Sequence, residues 1–250
     1  MASPVSTIKL NTTYRMNGGI TSLANELMYD KQMKCADKAL EKRYLQLVEA
    51  DIRTVLLDDV ESVAARSLLC HVVSKKFEKA AVFVDTSDVP AEETRVEESI
   101  CNEAEAHITM SFVHLFVKSG LCPSKLGIVA PYRGQVELLR KALKRISDTK
   151  FREVEVNTVD QYQGREKEEG ILEDMRRLNV AITRARSKVV LLGNRHTLKE
   201  YSPFKKLFEI LKDEQIRKLT KAELDGLNLY VNRMKEMDSS VNSTAQNSPK

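Results

Sequence analysis

Short apolar runs separated by longer amphipathic stretches are the feature that most constrains the fold of this chain. The runs lie at 81–84, 127–130, 154–156 and 189–192. Because they are mostly apolar without alternation, they are typical of strands in a sheet buried on both faces. The stretches between them carry apolar residues every three or four positions, as an amphipathic helix does. The sequence therefore predicts an α/β fold with a mainly parallel sheet covered by helices.

The length of 250 residues favours one such unit with appendages. A hydrophobic fraction of 42% is sufficient for a real core. The last residues are rich in Ser, Asn and Thr, a composition typical of disorder. We expect five segments in chain order, namely a Tyr-Arg-Met segment with an entry helix at 1–36, a helical insertion at 37–79, the α/β lobe at 80–213, a helical extension at 214–235 and a disordered tail at 236–250.

Composition also argues against several classes of protein. No apolar stretch reaches the ~18 residues of a bilayer-spanning helix, and no basic run followed by an apolar block opens the chain, so neither a membrane span nor a secretory signal is expected. The four cysteines include no close pair, which favours reduced thiols over a metal clip. His107 and His114 lie seven apart rather than four, so we interpret them as packing or surface residues, and no metal site is expected.

Four polar motifs stand out, at 13–17, 130–135, 158–166 and 176–186. The last motif is predicted to form a helix with an apolar inner side and a cationic outer side. Such a helix suits nucleotide chemistry, because an arginine from a second lobe can stabilise the charge that develops on a γ-phosphoryl group. Its inner side is predicted to carry Leu178, Ile182 and Ala185, its cationic side Arg177 and Arg184, and a neighbouring face Arg176, Asn179, Thr183 and Arg186.

In order and spacing, these motifs resemble those of the second RecA-like lobe of superfamily 1 helicases, a P-loop NTPase-type fold. The similarity is strongest to the DNA replication ATP-dependent helicase/nuclease family and runs from about Leu10 to Leu211. The resemblance implies ATP and Mg²⁺ shared with a first helicase lobe, single-stranded DNA as a partner, and residence in the nucleus with a second, mitochondrial pool. No membrane partner is expected.

The resemblance also implies roles for individual residues. Arg184 would be the arginine finger, Arg15 a second γ-phosphate contact, and Tyr14 a neighbour of the nucleotide base. Hydroxyls, amides and arginines fix a nucleic-acid backbone without reading its sequence. The expected set is completed by Gln163, Gly164, Arg165 and Glu166, which would couple the nucleotide to the DNA strand, and by Tyr132, Arg133, Gln135 and Thr158, which would line the DNA groove.

The sequence departs from the family pattern in two ways. No glycine is followed by lysine, so the P-loop of a first lobe is absent, and neither a nuclease module nor its iron–sulfur cysteines can be recognised. Between the third and fourth motifs, the mostly charged residues 167–175 stand where the family has an apolar strand and an arginine-bearing loop. We expect little ATP hydrolysis by the chain alone, and a sheet that lacks one central strand.

Two alternatives remain open from the sequence. The chain could be a non-catalytic truncated isoform that binds nucleic acid or a protein partner. It could also be the corresponding lobe of a related superfamily 1 RNA helicase. Salt-sensitive binding without ATP hydrolysis favours the first alternative, and competition between DNA and RNA separates the second.

Overall fold

A computed structural model describes residues 10–96, 99–159 and 172–246. Strands and helices alternate through most of it, and the predicted α/β class is confirmed. No helix in these three ranges is long and apolar enough to cross a membrane. The strands are β1 (Thr12–Thr13), β2 (Lys34–Cys35), β3 (Ala81–Asp85), β4 (Thr94–Val96), β5 (Ser99–Cys101), β6 (Gly127–Ala130), β7 (Glu155–Thr158), β8 (Val189–Gly193) and β9 (Ile216–Lys218).

The α-helices cover the strands and vary widely in length. Two of them, the first and the third, continue directly into π-helical turns at Asn25–Tyr29 and Val55–Asp59. The helices are α1 (Gly18–Ala24), α2 (Lys38–Glu41), α3 (Glu49–Thr54), α4 (Val63–Val72), α5 (Glu103–Lys118), α6 (Arg133–Arg145), α7 (Met175–Thr183), α8 (Arg195–Leu198), α9 (Ser202–Ile210) and α10 (Lys221–Gln246). Short 3-10 turns lie at Phe77–Lys79, Pro123–Lys125, Thr149–Glu153 and Asp213–Gln215.

Strand β3 is the centre of a three-stranded parallel sheet. It pairs with β8 from Ala81 opposite Val189 to Asp85 opposite Gly193, and with β9 on its other side. All five residues of β3 are buried, as its apolar composition predicts. Phe83 contacts the ring of Phe208 edge-on, with the ring centroids 4.8 Å apart. The core of this sheet therefore depends on contacts between β3 and the helices on its faces.

Strands β6 and β7 form a second parallel pair. Their register runs from Gly127 opposite Glu155 to Ala130 opposite Thr158. The predicted third strand at 154–156 lies at 155–158 instead, because Val154 ends a 3-10 turn and packs into the core below the pair. Within the described ranges the β8–β3–β9 sheet and the β6–β7 pair share no paired strand, and β1 with β2 (parallel) and β4 with β5 (antiparallel) form two further short pairs.

The helical insertion contributes to the core through α4, which packs against α5 and α10. Ser62 caps α4 by accepting a hydrogen bond from the backbone of Ala65. His114 on α5 lies in the same region, buried, with its Nδ1 in a hydrogen bond to the hydroxyl of Tyr230. The interpretation of His114 as a packing residue is confirmed, and a group of metal ligands is absent from the part of the chain that the structure describes.

The C-terminal region differs from the prediction in two places. Residues 216–218, expected to be part of a helical extension, form β9 and complete the three-stranded sheet. The expected disordered tail is wrong for 236–246, because α10 continues through Gln246. The first half of α10 is anchored by core residues, so further helical turns can be added to it without a new helix nucleation step. Ser, Asn and Thr have only mildly unfavourable helix propensities, so they do not stop the helix. Neither Gly nor Pro interrupts the chain between 227 and 248.

Candidate nucleotide and nucleic-acid interface

Asn17 joins the first and the fourth motif. Its backbone N–H donates to the carbonyl of Arg186 at 2.9 Å, and its Nδ2 donates to the carbonyls of Ser187 at 3.1 Å and Arg43 at 2.8 Å. Its Oδ1 accepts from the backbone of Ile20 and so caps α1. Asn17 is only 2% exposed. These bonds bring together two motifs that are separated by about 170 residues in the sequence.

Tyr14 and Arg15 lie on the outer side of this junction. The side chain of Tyr14 is 81% exposed, and Arg15 is exposed as well. The backbone between them is held, because Thr13 accepts a hydrogen bond from the N–H of Arg15 and the guanidinium of Arg43 donates to the carbonyl of Arg15. A fixed backbone with exposed side chains is suited to contacting a group bound on another surface.

Because Asn17 is buried and makes several hydrogen bonds, we expect its side chain to contribute strongly to the free energy of unfolding. Asn17→Ala removes the cap of α1 and leaves the carbonyls of Arg43 and Ser187 without their donor, so unfolding free energy should fall by about 2–3 kcal/mol. Urea denaturation followed by circular dichroism measures this loss. Asn11→Ala, at an exposed position, is the matched control and should change stability by less than about 0.5 kcal/mol. Equal losses in the two variants would contradict the role of Asn17.

Helix α7 is anchored as predicted, with Leu178 and Ile182 buried in the core. Arg184 follows its last residue as C-cap and is half-buried, and its N–H donates to the carbonyl of Val180. Asn179, predicted to lie on a face next to the cationic one, is buried, and its Nδ2 donates to the hydroxyl of Tyr29 at 3.0 Å. The amide thus ties α7 to the π-helical turn after α1.

The candidate nucleic-acid residues Tyr132, Arg133 and Thr158 lie at the carboxyl ends of β6 and β7. Tyr132 is the N-cap of α6, Arg133 is its exposed first residue, and Thr158 is the buried last residue of β7. Because Thr158 is in register with Ala130, the parallel pairing brings all three to the same edge. The arginines Arg15 and Arg184 do not share that edge, since they adjoin the segment that enters the amino end of β8.

Gln135, also expected in the nucleic-acid groove, is engaged within the protein. Its Oε1 accepts from the N–H of Asn102 at 2.7 Å, and its Nε2 donates to the carbonyl of Asn102 at 3.2 Å. Next to it, the N–H of Gly134 donates to the hydroxyl of Ser99, and a side chain there would lie 2.9 Å from the carbonyl of Ile100. This close approach requires glycine, and it fastens the start of α6 to β5.

Arg140 has a role that its sequence context did not indicate. It lies on the basic side of α6, but its guanidinium donates to the carbonyl of Val156 and to the Oδ1 of Asn157. The side chain therefore holds α6 onto β7. The remaining predicted site residues of the third motif lie outside the described residues, and these are Gln163, Gly164, Arg165 and Glu166.

A polar cluster at the carboxyl ends of β3 and β8 was only partly visible in the sequence. The carboxylate of Asp85, 5% exposed, accepts from the N–H of Ser87 and from the N–H of Arg195. The Oδ1 of Asn194 accepts from the hydroxyl of Ser87. The Gly-Asn pair at 193–194 marks the turn after the strand, whereas nothing in the sequence shows that Asp85 faces it.

A carboxyl group adjoins this cluster. Burial raises the pKa of Glu105 to about 7, and a hydrogen bond from the hydroxyl of Thr86 opposes that shift. Glu105 lies in the first turn of the long helix α5, and its N–H donates to the side chain of the N-cap Asn102. The cluster secures the end of the main sheet and shows no group of metal ligands among the described residues.

Parallel sheets covered by helices, with an arginine-bearing helix joined to a Tyr-Arg-Met segment, define a RecA-like α/β lobe. A family model described as AAA domain matches residues 1–196. The DNA replication ATP-dependent helicase/nuclease DNA2 of Mus musculus is 34% identical over 224 residues, which are 84% of this chain and 21% of the mouse protein.

The similarity extends to distant eukaryotes. The protein of the same name from Homo sapiens is 34% identical over 84% of this chain and 21% of its own length, and that of Schizosaccharomyces pombe is 32% identical over 83% and 15%. The chain thus spans about a fifth or less of these relatives. It belongs to the AAA domain family, and its similarity to the second RecA-like lobe of superfamily 1 helicase/nucleases is confirmed.

Proposed function

We propose that this chain acts as the second motor lobe of an ATP-dependent helicase that works on single-stranded DNA in replication and repair. One observation carries the proposal. Asn17, at the end of the Tyr-Arg-Met segment, is hydrogen-bonded to the backbone just after the arginine-bearing end of α7, so two motifs that would serve one nucleotide adjoin each other. The family match and the relatives named for DNA replication support the same function.

The residues at this junction suit the triphosphate of a nucleotide. Arg15 is exposed on a fixed backbone, and Arg184 ends a helix anchored in the core. In the proposed arrangement both guanidinium groups contact γ-phosphate oxygens, and Tyr14 lies against the base. ATP with Mg²⁺ would supply the phosphoryl group that is transferred to water, and Glu166 would act near the metal. A first helicase lobe would have to provide the P-loop, which this sequence does not contain.

Single-stranded DNA is proposed to cross the carboxyl edge of β6 and β7. Tyr132 would stack on a base and Arg133 would hold a backbone phosphate, while Thr158 would contribute its hydroxyl. Gln135 would act by positioning the start of α6, since its amide is bonded to Asn102. None of these contacts reads base edges, so binding should not depend on sequence. For a protein that works on replicating DNA we propose residence in the nucleus, and a second, mitochondrial pool is what the resemblance implies.

The first test uses the chain alone. Without a P-loop, it should bind single-stranded DNA in a salt-sensitive way and show no DNA-stimulated ATP hydrolysis. Filter binding across a salt series and a phosphate-release assay measure the two properties. Addition of a first lobe that carries a P-loop should restore hydrolysis. Robust turnover by the chain alone would overturn the proposed division of the motor into two lobes.

The same experiment addresses a second candidate function. A non-catalytic binding module would bind the oligonucleotide but gain no ATP hydrolysis when a first lobe is added. A competition series with DNA and RNA strands of equal length separates both proposals from an RNA helicase lobe. Preferential displacement by RNA would favour that alternative.

A further inference from the structure

A cavity of about 140 Å³ lies behind the junction at Asn17, between the helical insertion and the segment that enters β8. Its wall is strongly basic and includes no Asp or Glu. Neither the proposed nucleotide contacts nor the proposed DNA groove uses it. The positively charged residues of the wall are Lys42, Arg43, Lys75, Lys76 and Lys188.

Most of this charge lacks a partner that would neutralise it. Lys75 forms an ion pair with Glu49, with Nζ and Oε2 2.9 Å apart. Lys42 and Lys76 are exposed at the rim and are in no ion pair with another described residue. Among the described residues, the guanidinium of Arg43 donates to a neutral backbone carbonyl, that of Arg15, and to no carboxylate. Since these cations converge on one cavity, their mutual repulsion favours the binding of an anion between them.

Lys188 is the most precisely held member of the set. Its Nζ donates to the carbonyl of Ser74 at 3.1 Å and to that of Lys79 at 2.6 Å, which leaves one of its three protons for another acceptor. Burial, with a smaller contribution from the positive charge of Lys79, lowers the pKa of Lys188 to about 7. The two carbonyl contacts fix the Lys188 side chain before any ligand arrives, so little entropy is lost when an anion binds and favours the charged form of the amine.

We propose that this cavity binds a phosphate group. Lysine ammonium groups act as compact point charges toward phosphate oxygens, and four of the five cations here are lysines. A volume of about 140 Å³ is sufficient for a single tetrahedral oxyanion with some hydration. The phosphate could be free inorganic phosphate or one phosphate of a nucleic-acid backbone. The proposed motor function is not needed for this inference.

The test compares two double variants that remove the same charge. Lys42→Ala/Lys76→Ala alters the rim of the cavity at exposed positions, so it should not impair folding. Lys125→Ala/Lys150→Ala, also exposed, lies outside the cavity wall and is the matched control. Isothermal titration with inorganic phosphate should show an affinity lowered at least about tenfold in the rim variant, or about 1.4 kcal/mol, and unchanged in the control. Equal phosphate affinity in the two variants would overturn the proposal.

A second measurement identifies the source of the phosphate. Once the lowered affinity of the rim variant for inorganic phosphate has been established, both variants are titrated with a single-stranded oligothymidylate. A selective loss in the rim variant, with inorganic phosphate competing in the wild type, assigns the site to the DNA backbone. Equal oligonucleotide affinity in the two variants assigns it to free phosphate. Neither result requires ATP hydrolysis, so failure of the proposed motor function would leave the outcome unaffected.

Discussion

Arg184→Ala should lower DNA-stimulated ATP hydrolysis by about 10³–10⁵-fold once the chain is joined to a first lobe that carries a P-loop. The reason is electrostatic, since a guanidinium supplied across the cleft stabilises charge that develops on the γ-phosphoryl oxygens. Arg184 caps the end of α7, whose buried side is anchored by Leu178 and Ile182, so its backbone is held in place. Steady-state phosphate release with saturating single-stranded DNA measures the effect.

Arg176→Ala provides the matched control for this experiment. Arg176 lies on the same helix and carries the same charge, but it is exposed in the first turn. Its loss should leave the rate within a few-fold of the parent, as expected for a solvated arginine. Arg184→Lys should recover only a part of the rate, because a single ammonium cannot reproduce the forked donors of a guanidinium. Comparable rates for Arg184→Ala and Arg176→Ala would rule out Arg184 as the arginine finger.

Phe83→Ala should destabilise the fold by about 3–5 kcal/mol, the usual cost of emptying an aromatic site in a core. Phe83 is 1% exposed at the middle of β3, between paired strands on both sides. Its ring also loses the edge-on contact with Phe208, whose centroid is 4.8 Å away. Urea denaturation at constant protein concentration measures the change, and the midpoint should move with little change in slope.

Phe77→Ala removes the same side chain from a position that is 49% exposed. Its cost should be about 1 kcal/mol, because only part of its apolar surface leaves water on folding. A loss for Phe83→Ala no larger than that for Phe77→Ala would show that the three-stranded sheet is not the centre of the core. The comparison of the two variants therefore tests whether β3 lies at the centre of the core, and not only how much Phe83 contributes to stability.

The four longest strands, β3, β6, β7 and β8, were predictable from the sequence, for a simple reason. A run such as 81–84 is apolar on both faces, and in a chain with enough hydrophobic residues it has no stable place except the interior. Strand β9 could not be predicted in this way, because Ile216–Lys218 is short and mostly charged. It is a strand because the open edge of β3 offers backbone partners. Pairing of that kind is decided by the neighbouring chain and not by the residues themselves.

The candidate site residues were also predictable only in part: the residues themselves could be recognised in the sequence, but their hydrogen-bond partners could not. Arg15, Arg184, Tyr132 and Thr158 were recognisable because their motifs occur in order along the chain. The bonds that hold these motifs were not, since Asn17 contacts a carbonyl from Ser187 far along the chain and Gln135 turns to the backbone of Asn102. A polar side chain has several possible partners in the sequence, and only the folded backbone decides which is in reach.

The sequence by itself determined the class of fold, the order of the motifs and the positive charge that they carry, because hydrophobic periodicity and local composition act over short distances. Only the tertiary structure decided that two distant motifs meet at Asn17, that five cations surround one cavity, and that α10 runs on where a tail was expected. Each of these depends on contacts between residues remote in the chain. Such contacts form only when burial of the core has offset the entropy of bringing the segments together.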